Sequence, residues 1–230
     1  MESIQAWFAQ LQLDVLWEML VTVASCVLCI TFHETCHGLV AYWLGDPTAK
    51  RAGRLTLNPL KHIDLFGLIM LAVAKFGWAK PVPVNMRYFR NPKLGMAATA
   101  LAGPVSNVLL AAVAILCESV VVFFRMTNDN TFLYYLDYFF AMTAILSCGL
   151  AVFNLFPVPP LDGSKVLAVV LPDEWYAKLM RYERYGMIVL MVLLLTDVLD
   201  APLNFLRDGL MNGLWAVCTW PFDVLSGIFM

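Results

Sequence analysis

Residues 33–37 form the sequence HETCH, which places His33, Glu34 and His37 within five positions of one another. On an α-helix, side chains four positions apart lie on the same face, so both imidazoles can reach one metal ion. This HExxH pattern is typical of zinc sites in which the glutamate accepts a proton from the attacking water. The pattern therefore predicts a catalytic site with one Zn²⁺ per chain. The alternative is a pair of interfacial histidines beside a glutamate.

A catalytic zinc site needs a third protein ligand, because the metal is held by three side chains and keeps one position open. The third histidine of the chain, His62, lies in a basic loop. Asp162 is the better candidate, since it follows the third apolar run. His33 lies about 14 residues, or about 21 Å of helix, into the first run, and a third run in the same direction would end at that level. We predict His33, His37 and Asp162 as the zinc ligands. The alternative for Asp162 is that it belongs to an Asp-Gly pair that only forms a turn.

The elements that must position these residues are membrane helices. The 230-residue chain is 61% hydrophobic and 14% charged, against roughly 25% charged in an average soluble domain. About 20 apolar residues cross a bilayer, so three long runs predict spanning helices, at about Val15–Leu44, Leu94–Phe124 and Thr131–Phe156. Two shorter runs, at Tyr185–Thr196 and Gly209–Phe222, could span, tilt or lie at the interface. We predict one membrane peptidase domain over residues 1–230, with its core at about 13–170 and C-terminal membrane segments at about 182–230.

The distribution of basic residues predicts the orientation of the chain. All fifteen Lys and Arg lie at or beyond Lys50, nine of them between Lys50 and Lys93 and four between Lys165 and Arg184. If each long run crosses once, these two basic regions share a face, which the positive-inside rule makes cytoplasmic. We therefore expect the N-terminus outside and the active site near the cytoplasmic side. Contact with the lipid bilayer, and none with nucleic acid, is expected.

Between the first and second predicted helices, the long apolar runs give way to segments in which polar and apolar residues alternate. Residues 54–58 (RLTLN) and 79–85 (AKPVPVN) alternate polar and apolar side chains, as strands do, and the prolines suit an edge strand. Leu65–Ala74 is too short to span and predicts a strand pair or a re-entrant piece. The fold class that follows is an all-α polytopic membrane protein. It has a three-helix catalytic core, a small interfacial β-sheet after the first helix, and one or two further C-terminal membrane helices.

Two other segments bear on the core. Residues 102–107 (AGPVSN) contain small side chains that allow close helix approach in lipid, and Asn107 is interpreted as a helix–helix hydrogen bond. Three prolines lie within residues 154–163 (NLFPVPPLDG) and predict extended backbone. Such backbone must be sheltered by protein or line a wet cavity in a membrane.

The chain resembles the site-2 proteases through five motifs in the same order. These motifs are HETCHGLVAYWLGDPTAKRAGRLTLNPLKHIDLFG, WAKPVPVN, FRNPKLGM, LAGPVSN and FNLFPVPPLDG, and the resemblance covers roughly Thr31–Leu167. It implies His33, His37 and Asp162 as zinc ligands and Glu34 as the catalytic base. It also implies Asn154, eight residues before Asp162, as a polar group beside the scissile carbonyl.

The function predicted is that of an intramembrane zinc metalloprotease, which hydrolyses peptide bonds within or near transmembrane segments of membrane proteins. The segment containing Val82, Val84 and Asn85 offers an edge with which extended substrate backbone could pair. The compact form suggests a bacterial or archaeal plasma membrane. The main alternative is a non-catalytic zinc-containing scaffold, or pseudoprotease, that binds transmembrane helices, but Glu34 between two histidines favours an enzyme. A di-iron hydroxylase would need more histidines, and a transporter would carry ionisable residues at mid-depth in several segments.

Overall fold

The computed structural model describes residues 13–64, 66–67, 79–128 and 130–229, and it is mostly helical. Three of its helices, Leu13–Trp43, Pro92–Arg125 and Thr131–Asn154, are long and apolar enough to cross a membrane. The predicted three-helix core is thereby confirmed. The helices are α1 (Leu13–Trp43), α2 (Thr48–Arg51), α3 (Pro92–Arg125), α4 (Thr131–Asn154), α5 (Asp162–Leu167), α6 (Asp173–Leu195) and α7 (Asp200–Phe229), with 3₁₀ turns at Pro59–Lys61 and Met86–Tyr88.

The ends of the long helices follow from local sequence signals. Helix α1 stops before Gly45, which adopts a φ of 102°, a conformation that residues with a Cβ rarely accept. Helices α3 and α4 begin after Asn91 and Asn130, whose side chains accept hydrogen bonds from the backbone N–H groups of Leu94 and Phe132. These asparagines satisfy N–H groups that the first helical turn leaves without partners.

Helices α1 and α4 pack in parallel. The Ser25 hydroxyl donates to the Phe139 carbonyl at 3.2 Å, and one turn further along α1 the Cys29 thiol lies 3.1 Å from the Ser147 hydroxyl. The numbering therefore rises in both helices together. Because they run in the same direction, their C-terminal ends lie at the same level.

Helix α3 runs antiparallel to α1 and packs against both α1 and α4. His33 lies beside Asn107, at 3.2 Å between ring Nδ1 and amide Nδ2, whereas His37 lies beside the carbonyl of Thr99, at 2.7 Å from its Nδ1. As the numbers rise along α1, the contacted numbers on α3 fall. The up, down, up arrangement assumed from the sequence is therefore present.

The outward faces of the spanning helices are apolar. Leu20 is 49% exposed on α1, Leu109 is 61% exposed on α3, and Phe132 is 68% exposed on α4. Large exposed apolar side chains in three adjacent helices are what a lipid environment requires, since water would oppose such a surface.

The C-terminal helices form a bent pair. The segments Tyr185–Leu195 and Asp200–Trp220 are together apolar enough to span, but they are bent by 88° at the break between them. This pair is a broken span or a re-entrant loop, and within the described chain it raises the number of candidate spans to at most four. Helix α7 packs on α3 and α4, where Cys218 joins the buried cluster of Ile115 and Ala144.

The β-sheet predicted after the first helix is not confirmed. Within the described part of residues 54–85, an isolated antiparallel bridge joins Ile63 to Ala79, and residues 55–57 form bends. Most of Leu65–Ala74 lies outside the described residues. Side-chain hydrogen bonds hold this region instead: the Arg54 guanidinium donates to the Lys80 carbonyl. Prolines at positions 81 and 83 cannot donate to a ladder, which explains why alternation did not produce a strand.

The proline-rich segment after α4 is turned rather than extended. Residues 155–161 form successive turns and bends, with the Val158 N–H donating to the Phe156 carbonyl and the Leu161 N–H to the Val158 carbonyl. These turns let the chain reverse within a few residues and start α5. Asp162 is the first residue of that helix.

Candidate metal centre

Three side chains predicted from the sequence meet between α1 and α5. His33 Nε2 lies 3.2 Å from Asp162 Oδ2, His37 Nε2 lies 3.1 Å from the same oxygen, and the two Nε2 atoms are 3.0 Å apart. The three residues are 4%, 8% and 9% exposed. Two imidazole nitrogens and a carboxylate oxygen therefore converge in a place that is nearly closed to water.

The geometry and chemistry of this group fit a zinc ion. The three donor types match those of catalytic zinc sites with two histidines and a carboxylate. For tetrahedral bonds of about 2.0–2.1 Å, ligand atoms lie about 3.3 Å apart, close to the separations of 3.0–3.2 Å seen here. Among the described residues, His33, His37 and Asp162 are the group of His, Cys, Asp or Glu side chains close enough to share one metal ion.

Helix α3 forms the wall behind the two imidazoles. An ideal Cβ built on Gly103 would lie 2.5 Å from Cε1 of His33 and 2.5 Å from Cε1 and Nε2 of His37. Only a glycine lets the α3 backbone come this close. Sequence reasoning missed this role, although Gly103 and Asn107 are four positions apart, the spacing that also joins the two histidines.

Asp162 is held by the short helix α5 beyond the end of α4. A Cβ on the next residue, Gly163, would collide with the carbonyl of Leu155, so the turn after α4 needs a glycine there. Burial alone would raise the pKa of the Asp162 carboxyl, but the two neighbouring imidazoles and the nearby charge of Lys165 hold that pKa well below its usual range. Lys165 Nζ lies 3.7 Å from Asp162 Oδ1, a contact that sequence reasoning also missed. The carboxylate is thus kept anionic, as a metal ligand must be.

A cavity of about 350 Å³ opens beside the three side chains. Four of the residues proposed from the sequence, Glu34, Asn154, Val82 and Val84, line it together with Lys165. Asn85 does not line it. The backbone N–H of Asn85 donates instead to the buried carboxylate of Asp46 at 2.6 Å, and its side chain caps the following 3₁₀ turn.

Glu34 and Asn154 each have one atom already engaged. Glu34 Oε2 accepts a hydrogen bond from the backbone N–H of Val82 at 2.9 Å, which ties the first helix to the segment across the cavity. Asn154 Nδ2 donates to the Leu150 carbonyl of its own helix at 3.0 Å. An amide nitrogen carries two hydrogens, so the second N–H of Asn154 can serve a group in the cavity.

Gly103→Ala is expected to abolish zinc binding, because the new Cβ would occupy the space of both imidazoles. The measurement is the zinc content of the purified protein after dialysis against a defined zinc buffer. Gly209→Ala is the matched control, since it changes a glycine of α7 whose ideal Cβ meets no described heavy atom within 4 Å. A folded Gly103→Ala protein with one zinc per chain would contradict the tight packing of α3 on the site.

Comparison with known proteins places these features in a family. The sequence model of Peptidase family M50 matches residues 117–196, a range that contains Asn154 and Asp162 but not the two histidines. No solved structure matches the chain at a comparable level.

Relatives match far more of the chain. A Bacillus subtilis protein named "Putative zinc metalloprotease YwhC" is 42% identical over 194 residues, which are 83% of this chain and 89% of that protein. Proteins of the same description named Rip2 are 28% identical over 185 residues in Mycolicibacterium smegmatis and 28% over 212 residues in Mycobacterium tuberculosis. These alignments cover 79% and 90% of this chain and 69% and 74% of the relatives. The chain therefore belongs to peptidase family M50, the site-2 proteases, and is a zinc metalloprotease with several membrane helices.

Proposed function

We propose that this metalloprotease hydrolyses peptide bonds within or near the transmembrane segments of membrane-protein substrates. The observation that carries the proposal is the position of the candidate metal centre: two of its three residues lie on α1 and against α3, both of which are long and apolar enough to span a membrane. Ionisable side chains in such helices cost free energy and usually mark function. A site of this kind acts on a peptide that enters the helix bundle itself.

His33, His37 and Asp162 are the proposed zinc ligands. When bound there, zinc supplies Lewis-acid polarisation of the substrate carbonyl and makes water a nucleophile near neutral pH. The protein keeps the ligand set together through the buried packing of α1, α3 and α5. The cavity beside the ligands provides room for the scissile peptide.

Glu34 is the proposed general base. The hydrogen bond from the Val82 N–H holds Oε2 of its carboxylate, and Glu34 lines the cavity in which Oε1 would accept a proton from water. As the water oxygen bonds to the carbonyl carbon, its proton passes to Glu34. When the C–N bond breaks, Glu34 returns that proton to the leaving amine nitrogen. A non-catalytic scaffold would not require a carboxylate at this place, which favours the enzyme.

Glu34→Gln is expected to retain one zinc per chain and to lose cleavage by about 10²–10⁴-fold, the usual contribution of a general base. Zinc content and turnover of a panel of transmembrane peptides in detergent micelles measure the two effects. Glu18→Gln is the control, because Glu18 lies on the same helix but bonds the Tyr134 hydroxyl, away from the site. Equal cleavage by Glu34→Gln and wild type would remove the assigned base.

Asn154 is proposed to stabilise the oxyanion that forms on the substrate carbonyl. It lies at the end of α4 and lines the same cavity as Glu34 and Asp162. Its second amide N–H can donate to an oxygen in that cavity while the first remains bonded to Leu150. A donor aimed at developing negative charge acts most strongly in a site that excludes water.

Asn154→Ala is expected to lower kcat by about 10²–10³-fold, the effect of removing one oxyanion donor. Zinc content should stay unchanged, since Asn154 is not in the ligand set. Steady-state kinetics on a single transmembrane peptide separate kcat from KM. A variant that raises KM but keeps kcat would assign Asn154 to substrate binding rather than to the transition state.

The segment around Val82 and Val84 is proposed to bind the substrate backbone. A helical substrate hides its peptide bonds in hydrogen bonds to residues four positions away, so it must unwind before attack. In extended backbone, the N–H groups of residues two apart point to the same side. If residues 82–84 are extended, the Val84 N–H lies on the side on which the Val82 N–H meets Glu34, where it would pair with an unwound substrate strand. Asn85 is left out of this role, because its N–H points to Asp46.

Val84→Pro is expected to reduce cleavage with zinc retained, because proline removes the N–H that would pair with substrate. Val84→Ala, which keeps the N–H and shortens the side chain, should remain close to wild type. Peptide cleavage and zinc content are measured for both variants. Normal turnover by Val84→Pro would show that substrate does not use this edge.

The proposal extends to the placement of the whole chain. We propose a single membrane peptidase domain over residues 1–230, with the N-terminus outside and the site near the cytoplasmic face. The basic regions that support this orientation are residues 50–93 and 165–184, which follow the C-terminal ends of α1 and α4. The relatives come from bacteria, which supports the placement of this protein in a bacterial plasma membrane.

A further inference from the structure

The two histidines of the candidate metal centre are contacted at their Nδ1 atoms by different groups. His37 Nδ1 lies 2.7 Å from the Thr99 carbonyl oxygen. A carbonyl can only accept, so Nδ1 of this ring carries a proton, and in the neutral ring the lone pair is then on Nε2, the atom nearest Asp162. This is the tautomer that a histidine needs to bind a metal through Nε2.

His33 is contacted by an amide, which can donate or accept. Its Nδ1 lies 3.2 Å from the Nδ2 atom of Asn107, a side chain with no exposed surface. If the amide donates, His33 Nδ1 must keep its lone pair and the ring proton moves to Nε2. That proton would then point at Asp162 and His37, where the lone pair is required.

The other atom of the same amide resolves this conflict. Asn107 Oδ1 is buried and has no hydrogen-bond partner among the described residues. A half-turn of the amide exchanges Oδ1 and Nδ2, two atoms that are assigned from their hydrogen-bond partners. After the half-turn, Oδ1 accepts from His33 Nδ1–H, which gives the buried oxygen a donor and leaves the Nε2 lone pair free.

We infer that Asn107 is a positioning residue of the zinc site, whose side-chain oxygen accepts a hydrogen bond from His33 Nδ1–H and so holds His33 in the tautomer that binds metal through Nε2. The inference rests on the proposed ligand set. Asn107 and Thr99 then each accept a hydrogen bond from the Nδ1–H of one ring, Asn107 through its side chain and Thr99 through its backbone carbonyl. Gly103, between them on α3, brings the helix close enough for both contacts.

Zinc affinity tests this role, with dissociation constants measured by competition against a chelator. Asn107→Leu keeps the size of the side chain but has no acceptor, and it should weaken zinc binding by about 10–100-fold, the usual effect of removing such a partner. Asn107→Asp keeps an acceptor and should stay near wild type. Ser147→Ala is the control: Ser147 is equally buried and bonds Cys29 of α1, but it does not line the site.

If Asn107 only formed a hydrogen bond between helices, the two variants would behave differently. Asn107→Leu would then lower the melting temperature and keep wild-type zinc affinity, and Asn107→Asp would be the more damaged of the two. That result overturns the inference.

A spectroscopic measurement on the wild type needs no variant to fold. The chain has three histidines, so ring ¹⁵N signals of a histidine-labelled, zinc-loaded sample can be assigned. His33 should carry a proton on Nδ1, and a His33 Nδ1 without one would overturn the inference. His33→Ala separates this inference from the ligand assignment. If His33→Ala binds one zinc per chain with wild-type affinity, the ligand assignment itself is wrong. If His33→Ala loses zinc but Asn107→Leu keeps wild-type zinc affinity, only the role of Asn107 is wrong.

Discussion

The candidate site depends on holding two imidazoles and a carboxylate together where little of their surface is exposed. Burial by itself opposes the anionic form of Asp162, and the rings of His33 and His37 with the charge of Lys165 reverse that effect. No single segment provides all the donors. The site forms only if the C-terminal ends of α1 and α4 lie at one level, and the parallel contacts between these helices put them there. Helix packing and site assembly are therefore one constraint.

Close approach of α3 is the second part of that constraint. Without a hydrophobic driving force between helices in lipid, association relies on van der Waals packing and interhelical hydrogen bonds, both of which small residues favour. Ala100, Gly103 and Ser106 are buried on α3, and Gly103 lies against both imidazoles. The same small side chains that let α3 pack on α1 bring Asn107 and the Thr99 carbonyl to the histidine rings. A larger residue at position 103 would therefore disturb both the packing of α3 on α1 and the contacts that α3 makes with the histidine rings.

The features that local patterns determine could be predicted from the sequence. The three spans, the end of α1 at Gly45 and the meeting of Asp162 with the two histidines follow from hydropathy, capping signals and alternating helix direction. The partner of Asn107 could not be predicted, because it depends on how far α1 and α3 rotate about their axes. The contact of Lys165 with Asp162 and the bond from Val82 to Glu34 depend on loop paths that no periodicity describes. Alternation in residues 79–85 predicted a strand, but it arises from prolines that cannot form a ladder.

Those prolines have a consequence for the chemistry. Positions 81 and 83 have no backbone N–H, so between Lys80 and Asn85 the backbone donors are those of Val82 and Val84 alone. The Val82 donor is bound to Glu34, which leaves Val84 as the donor that an incoming strand can use. Under the proposed mechanism, the backbone that orients the base is continuous with the backbone that binds the substrate. A strand paired at Val84 would lie in register with Glu34, so that binding fixes which peptide bond reaches the base.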